Sequence, residues 1–157
     1  VLQASDEPGI LSTHIHADGA YEELLQVPSG ISVGYDVTQA GNAFIEMNGN
    51  AVFKRAVATF DNIARETMAD LDGELGDIDW FVPHQANMRI IKAAAKRLKM
   101  PMERVIATVD EHANTSGASI PLALDQAVKD GRIKRGDNLM FAAFGAGFTW
   151  GSAMIKY

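Results

Sequence analysis

Twice along this chain a short apolar run ends in a polar turn and passes directly into a helical pattern, and that repetition limits the folds open to it. Residues 78–82 form the first run, closed by Pro83, and a helical stretch follows over 87–98. Residues 105–109 form the second, followed by the small-residue turn 112–119 and a helical stretch over 120–128 that ends near Gly131. Two more strands, 139–144 and 149–155, are joined by Gly145-Ala146-Gly147, a link short enough to make them antiparallel neighbours. Alternating strands and helices build a parallel sheet with helices packed on it, and functional side chains then collect at the C-terminal ends of the strands. His84, Asn114 and the 145–147 turn all follow strands in this way, so three separated segments point to one edge of one sheet.

The earlier part of the chain is less regular. Residues 10–16 have the β-branched content and alternation of a strand that Ala17-Asp18-Gly19 ends with turn chemistry. An irregular connection with Pro28, Ser29-Gly30 and Gly34 runs to about residue 40. Over 50–71, Phe53, Val57, Phe60, Ala64, Met68 and Leu71 recur every three or four residues, which predicts a helix with Asn50 as its N-cap.

With 157 residues, 47% of them hydrophobic, the chain suffices for one domain or one half of a larger pseudo-symmetric one. Its net charge of −6 and pI near 5.1 exclude a general nucleic-acid binder, which needs an excess of Lys and Arg. The absence of cysteine excludes disulfides, Cys-ligated zinc and a Cys nucleophile supplied by these residues. No apolar run approaches the ~20 residues of a membrane span and no basic-then-apolar leader opens the chain, so a soluble, cytoplasmic protein is expected. Residues 1–5 lack an initiator methionine and read as the tail of a strand, so the chain is expected to begin partway through a longer protein.

In Pro83-His84-Gln85-Ala86-Asn87 an imidazole stands where a strand has ended and a helix begins, a setting that favours the neutral ring and a hydrogen bond to a developing oxyanion. The same ring could equally cap its helix or satisfy a local carbonyl. Asn114, in Glu111-His112-Ala113-Asn114-Thr115-Ser116-Gly117-Ala118-Ser119, offers an uncharged amide donor, although Asn, Thr and Ser are also ordinary turn and cap residues. The glycines and aromatics of Phe144-Gly145-Ala146-Gly147-Phe148-Thr149-Trp150-Gly151 could aim backbone N–H groups into a dry site or simply make a tight turn. His14 and His16 share a strand face, but with no third ligand nearby in sequence they read as a solvated or hydrogen-bonded pair and no metal is expected. Arg89, Lys92, Lys96 and Lys99 fall within an arc of roughly 80° on a helical wheel, opposite Ile91, Ala95 and Leu98, as either a solvated face or a docking strip for an acidic partner.

Together the strings VPHQANMRII, HANTSGASIPLALD and FAAFGAGFTWGSAMIKY, with HIHADGAYEELL and MNGNAVFKRAV before them, resemble 3-oxoacyl-acyl carrier protein synthase III over nearly the whole chain. That resemblance implies an α/β fold of the thiolase-like, layered α-β-α-β-α kind, of which this chain is mainly the second β-α-β-α-β-β half, with a mixed sheet. Residues 1–40 would be the last strand and connection of the N-terminal half, and 41–157 the C-terminal half. It implies a Cys-His-Asn triad in which His84 and Asn114 are the His and Asn, while the Cys lies in the N-terminal half. It also implies an oxyanion contact from the backbone N–H of Ala146, where many relatives have glycine, and an orienting role for Asn87. Gly49 and Phe53 match positions lining a CoA and pantetheine tunnel, and Lys54 and Arg89 match basic residues at its mouth. With Lys92 and Lys96 these would dock acyl carrier protein. The implied reaction joins acetyl-CoA, or another acyl-CoA starter, to malonyl-acyl carrier protein with loss of carbon dioxide, initiating fatty acid biosynthesis. No cofactor is implied beyond these thioester substrates, a homodimer is, and the fragment alone is expected to be inactive. Two other readings stay open: a thiolase-fold synthase for another acyl, quinolone, polyketide-starter or hydroxymethylglutaryl-type substrate, and a noncatalytic thiolase-fold subunit.

Overall fold

The alternating runs fold into a mixed sheet with helices on both faces. A computed structural model of the chain describes residues 3–7, 9–31, 33, 34, 36 and 43–157. The strands are β1 (Ile10–Ala17), β2 (Leu25–Gln26), β3 (Glu46–Met47), β4 (Trp80–Pro83), β5 (Asn138–Gly145) and β6 (Thr149–Lys156). The helices are α1 (Gly49–Asp70), α2 (Met88–Arg97), the single turn α3 (Val109–His112) and α4 (Ser119–Lys129). The main sheet has the order β1-β6-β5-β4, with β4 and β5 parallel and β5-β6 and β6-β1 antiparallel; β2 and β3 form a separate short pair.

Period-two alternation divides the core between the two faces of the sheet. Phe81, Met140, Ala142, Phe144 and Met154 point to the side covered by α1 and α2, where Phe60, Ile63, Ile91 and Ala94 meet them. Val82 and Leu139 point the other way, onto Ala123 and Ala127 of α4. α4 covers only the β4-β5 side of that second face, so Ile15 of β1 is 83% exposed there. β6 also runs close against β1, because a Cβ on Gly151 would lie 2.9 Å from the His14 carbonyl oxygen.

Three local expectations need correction. The N-cap of α1 is Asn48, whose Oδ1 accepts from the Ala51 N–H at 3.2 Å; Asn50 is already inside the helix. The strand expected over 105–109 shrinks to one parallel bridge between Val105 and Phe81. Beyond it the Gln85 side chain replaces a neighbouring strand, its Nε2 donating to the Ile106 carbonyl and its Oε1 accepting from the Thr108 N–H, after which the backbone turns into α3. Residues 3–5 are not strand, and residues 1 and 2 lie outside the described residues.

The boundary expected at residue 40 also lies outside the described residues. β1, however, pairs with β6 from Ile10 to Ala17 and is therefore an edge of the same sheet as the strands that follow.

Candidate active site

Parallel strands β4 and β5 end side by side, and the His84 N–H extends their ladder by donating to the Ala142 carbonyl at 2.8 Å. The chain can then turn only because its polar groups are met locally. Gln85, 1% exposed, donates to the Pro83 carbonyl at 2.8 Å as well as bonding Ile106 and Thr108, so one buried side chain ties the His84 turn to the segment leading to Asn114. Burial lowers the His84 imidazole below its ordinary 6.5 and favours the neutral ring.

Ser119 fixes which nitrogen carries the ring hydrogen. Its buried Oγ accepts from the Gln85 N–H at 3.2 Å and lies 2.6 Å from His84 Nδ1. With one lone pair occupied, the arrangement that uses every group has the hydroxyl donating to Nδ1, which leaves the hydrogen on Nε2 as a donor.

Asn114 follows α3 between two residues of positive φ, Ala113 at 58° and Ser116 at 53°. Alanine pays for such a conformation with about 1–3 kcal/mol of strain, which the surrounding turn must hold. The Asn114 Oδ1 accepts from the Ser116 N–H at 3.0 Å, so its Nδ2 hydrogens remain for another partner.

These donors face common space. A cavity of about 570 Å³ is lined by Gly49, Phe53, His84, Asn87, Arg89 and Asn114 among others. A second, of about 650 Å³, again has His84 and Asn114 in its wall, together with Ala146 of the β5-β6 turn. Ala146 has a negative φ, since the described non-glycine residues with positive φ are Asp72, Lys99, Ala113 and Ser116. Its neighbour Gly147, at φ 132°, could carry no Cβ without meeting Thr149 Oγ1 at 2.7 Å. Two uncharged donors from separate crossovers thus share a wall with a turn whose backbone is exposed, an arrangement able to stabilise negative charge on an oxygen between them.

The remaining expected residues divide. Asn87 lines the first cavity, yet its Oδ1 caps α2 by accepting from the Ile90 N–H at 2.9 Å. The Arg89 guanidinium lies 5.5 Å from the Phe53 ring centroid at the cavity wall. Lys54, Lys92 and Lys96 line neither cavity and are exposed. Arg89, Lys92, Lys96 and Lys99 are all exposed while Ile91, Ala95 and Leu98 are buried, as the helical wheel requires.

Residues 68–157 match the family described as 3-Oxoacyl-[acyl-carrier-protein (ACP)] synthase III C terminal. The chain belongs to this synthase III C-terminal family. A beta-ketoacyl-[acyl-carrier-protein] synthase III from Thioalkalivibrio sulfidiphilus is 61% identical over 157 residues, which are all of this chain and 49% of the relative. The crystal structure of 3-oxoacyl-[acyl-carrier-protein] synthase III from Aquifex aeolicus superposes with a TM-score of 0.87 at 36% identity, covering 99% of this chain and 46% of that one. The priming beta-ketosynthase of a polyketide biosynthetic pathway does so with a TM-score of 0.86 at 35% identity, over 96% of this chain and 46% of its own. The chain thus spans about half the length of the curated relatives it matches. Its fold is the thiolase-like one, as a half with a mixed sheet.

Within this synthase III architecture, two residues escaped the sequence reading as parts of the site. Gln85 carried a signal, a polar side chain between an apolar strand and an apolar helix, but its partners 21 and 23 residues on were invisible. Ser119 looked like one small turn residue among several, and only the fold brings it to His84, 35 residues away.

Proposed function

We propose that these residues form the second half of a decarboxylating condensing enzyme that joins an acyl-CoA starter, acetyl-CoA in the first instance, to malonyl-acyl carrier protein. A cysteine thiolate from the N-terminal half attacks the acetyl thioester, CoA leaves as its thiolate, and an acetyl-enzyme thioester remains. In the malonyl group the bond to the carboxylate breaks, carbon dioxide leaves, and the electron pair becomes an enolate on the thioester oxygen. His84 Nε2–H and the Asn114 amide donate to that oxygen in a pocket that excludes water. The carbanion attacks the acetyl carbonyl, the backbone N–H of Ala146 helps hold the tetrahedral oxyanion, and the cysteine thiolate departs to leave 3-oxoacyl-acyl carrier protein. Gly49 and Phe53 line the path of the pantetheine arm, and Asn87 holds the start of α2 beside His84.

The observation that carries this reading is that His84 and Asn114, 30 positions apart by their numbering and on separate crossovers, enter the wall of the same two cavities. It is tested in the complete enzyme by His84→Ala and Asn114→Ala. Each should slow malonyl decarboxylation by about 10²–10³-fold, the usual cost of one oxyanion donor, while cysteine acylation by acetyl-CoA persists. Equal loss of both half-reactions would overturn the assignment.

The carrier-protein partner is supported by Arg89 at the cavity wall and by the exposed Lys54, Lys92 and Lys96, which offer complementary charge to an acidic protein. A second reading, a synthase that primes polyketide assembly with another starter, is favoured by the likeness to the priming beta-ketosynthase. Competition among acyl-CoA starters of increasing length separates the two: preference for acetyl-CoA supports the first and preference for a longer starter the second.

A further inference from the structure

β1 carries His14 and His16 two residues apart, so both rings project from the same face of the sheet, the face that α1 covers. α1 presents Glu66 and Asp70 to them from consecutive turns. His16 Nε2 lies 3.1 and 2.9 Å from the two Glu66 oxygens, and His14 Nδ1 lies 3.5 Å from Glu66 Oε1. One atom from each of the three side chains falls within 4.8 Å of the other two.

The hydrogen-bond inventory makes this more than proximity. Ser12 Oγ donates to Asp70 Oδ2 at 2.6 Å, so towards His14 Nε2, 3.0 Å away, it can only accept. The neutral His14 ring therefore carries its hydrogen on Nε2, and its Nδ1 lone pair faces a carboxylate oxygen. Two acceptors held at this distance repel unless a proton or a metal cation stands between them. The Asp70-Ser12-His14 relay also has the form of the outer partners that orient ligating imidazoles, fixing the tautomer and aiming the free nitrogen inward. His16 is steadied separately, its ring stacked on Trp150 with centroids 5.6 Å apart.

We propose that His14 Nδ1, His16 Nε2 and the Glu66 carboxylate bind a divalent first-row transition-metal cation, with zinc as the reference ion. Metal bonds of about 2.0–2.1 Å at tetrahedral angles would bring the ligand atoms to roughly 3.3 Å from one another, so small side-chain rotations close the site. Two imidazoles with one carboxylate select zinc, cobalt, nickel or copper over calcium and magnesium, which take oxygen ligands. A fourth position opens towards a cavity of about 220 Å³ that His16 and Glu66 share with Asp18 and Arg55, leaving room for water or an anion. As the metal enters, the hydrogen on His16 Nε2 passes to solvent and the ring takes one from solvent on Nδ1, so the neutral imidazole ligates through its Nε2 lone pair. Bound metal clamps edge strand β1 to α1, joining residues 50 positions apart.

The experiment uses the complete polypeptide carrying this sequence, stripped with a chelator and titrated with zinc chloride by equilibrium dialysis, with cobalt chloride as a spectroscopic substitute. The expected result is one equivalent per chain, a visible cobalt absorption band, and a melting temperature raised by zinc. His16→Ala and the near-isosteric Glu66→Gln should each weaken zinc by more than the ~10–100-fold typical of losing an outer partner, and abolish the cobalt band. His112→Ala should leave both readouts unchanged. Absence of binding, affinity in Glu66→Gln equal to the parent, or loss of the site in His112→Ala would each overturn the proposal. Should His16→Ala fail to fold, Glu66→Gln still decides.

Discussion

His84 is a clear case of a residue whose chemistry is set by neighbours that sequence does not reveal. Its type and position after β4 already suggested a neutral donor, but the reason for neutrality is burial and the reason for the Nε2 tautomer is Ser119. A histidine whose folded pKa lies below the ordinary 6.5 takes up its proton more readily in the unfolded chain, so stability falls as pH drops through 6.5 towards the lower folded value, and above 6.5 there is no such penalty. In the complete enzyme the malonyl decarboxylation rate should therefore hold steady as pH falls to 6.5 and decline only below it. In Ser119→Ala the plateau should drop about tenfold with little change in KM, the worth of one net hydrogen bond of about 1.4 kcal/mol. An acid limb centred at or above 6.5 would contradict the lowering by burial, and an undiminished plateau in Ser119→Ala would remove the tautomer argument.

Elements in this chain are legible in proportion to how local their causes are. α1 reads cleanly because Phe60, Ala64 and Met68 of the predicted stripe are buried, although Phe53, Val57 and Leu71 are only partly so and the buried face also takes in Val52, Ala56 and Ile63. α1 and α2 both end in paired backbone bonds around a left-handed residue, Asp72 at φ 50° and Lys99 at φ 55°, a stop signal hidden because neither residue is glycine. The 105–109 strand misled for the opposite reason, since its apolar pattern reflects burial under Gln85 and not a ladder. α2 yields a prediction at this scale. Among the described residues Arg89, Lys92 and Lys96 enter no ion pair, whereas Arg97 on another face is held 3.1 Å from Asp61. Arg89→Glu should raise KM for malonyl-acyl carrier protein more than for acetyl-CoA, with the difference shrinking as salt rises. An unchanged carrier-protein KM would return this face to ordinary solvation.

The whole molecule shows what one half of a layered fold leaves undone. α1 and α2 cover most of one face of the sheet, but α4 covers only part of the other, and Ile15 on β1 is 83% exposed, with Phe44 and Ile45 each 74% exposed. Apolar surface of this kind is commonly an interface. We expect the 157-residue chain by itself to give no condensation product and to recover activity only with a segment that supplies the sulfur; turnover by the isolated chain would contradict this. No helix among the described residues is long and apolar enough to cross a membrane. The sequence by itself determined the three longer helices, the strands β1, β4, β5 and β6, the edge at which His84, Asn114 and the 145–147 turn collect, and the buried face of α2, because each follows from short-range periodicity and turn chemistry. Only the tertiary structure decided that β1 joins β6, that Ser119 and Gln85 hold the donors in place, and that Glu66 completes a set with His14 and His16. Those contacts span from 23 residues of chain, Gln85 to Thr108, to 145, Ile10 to Ile155, and what fixes them is the packing of whole elements, which no local pattern encodes.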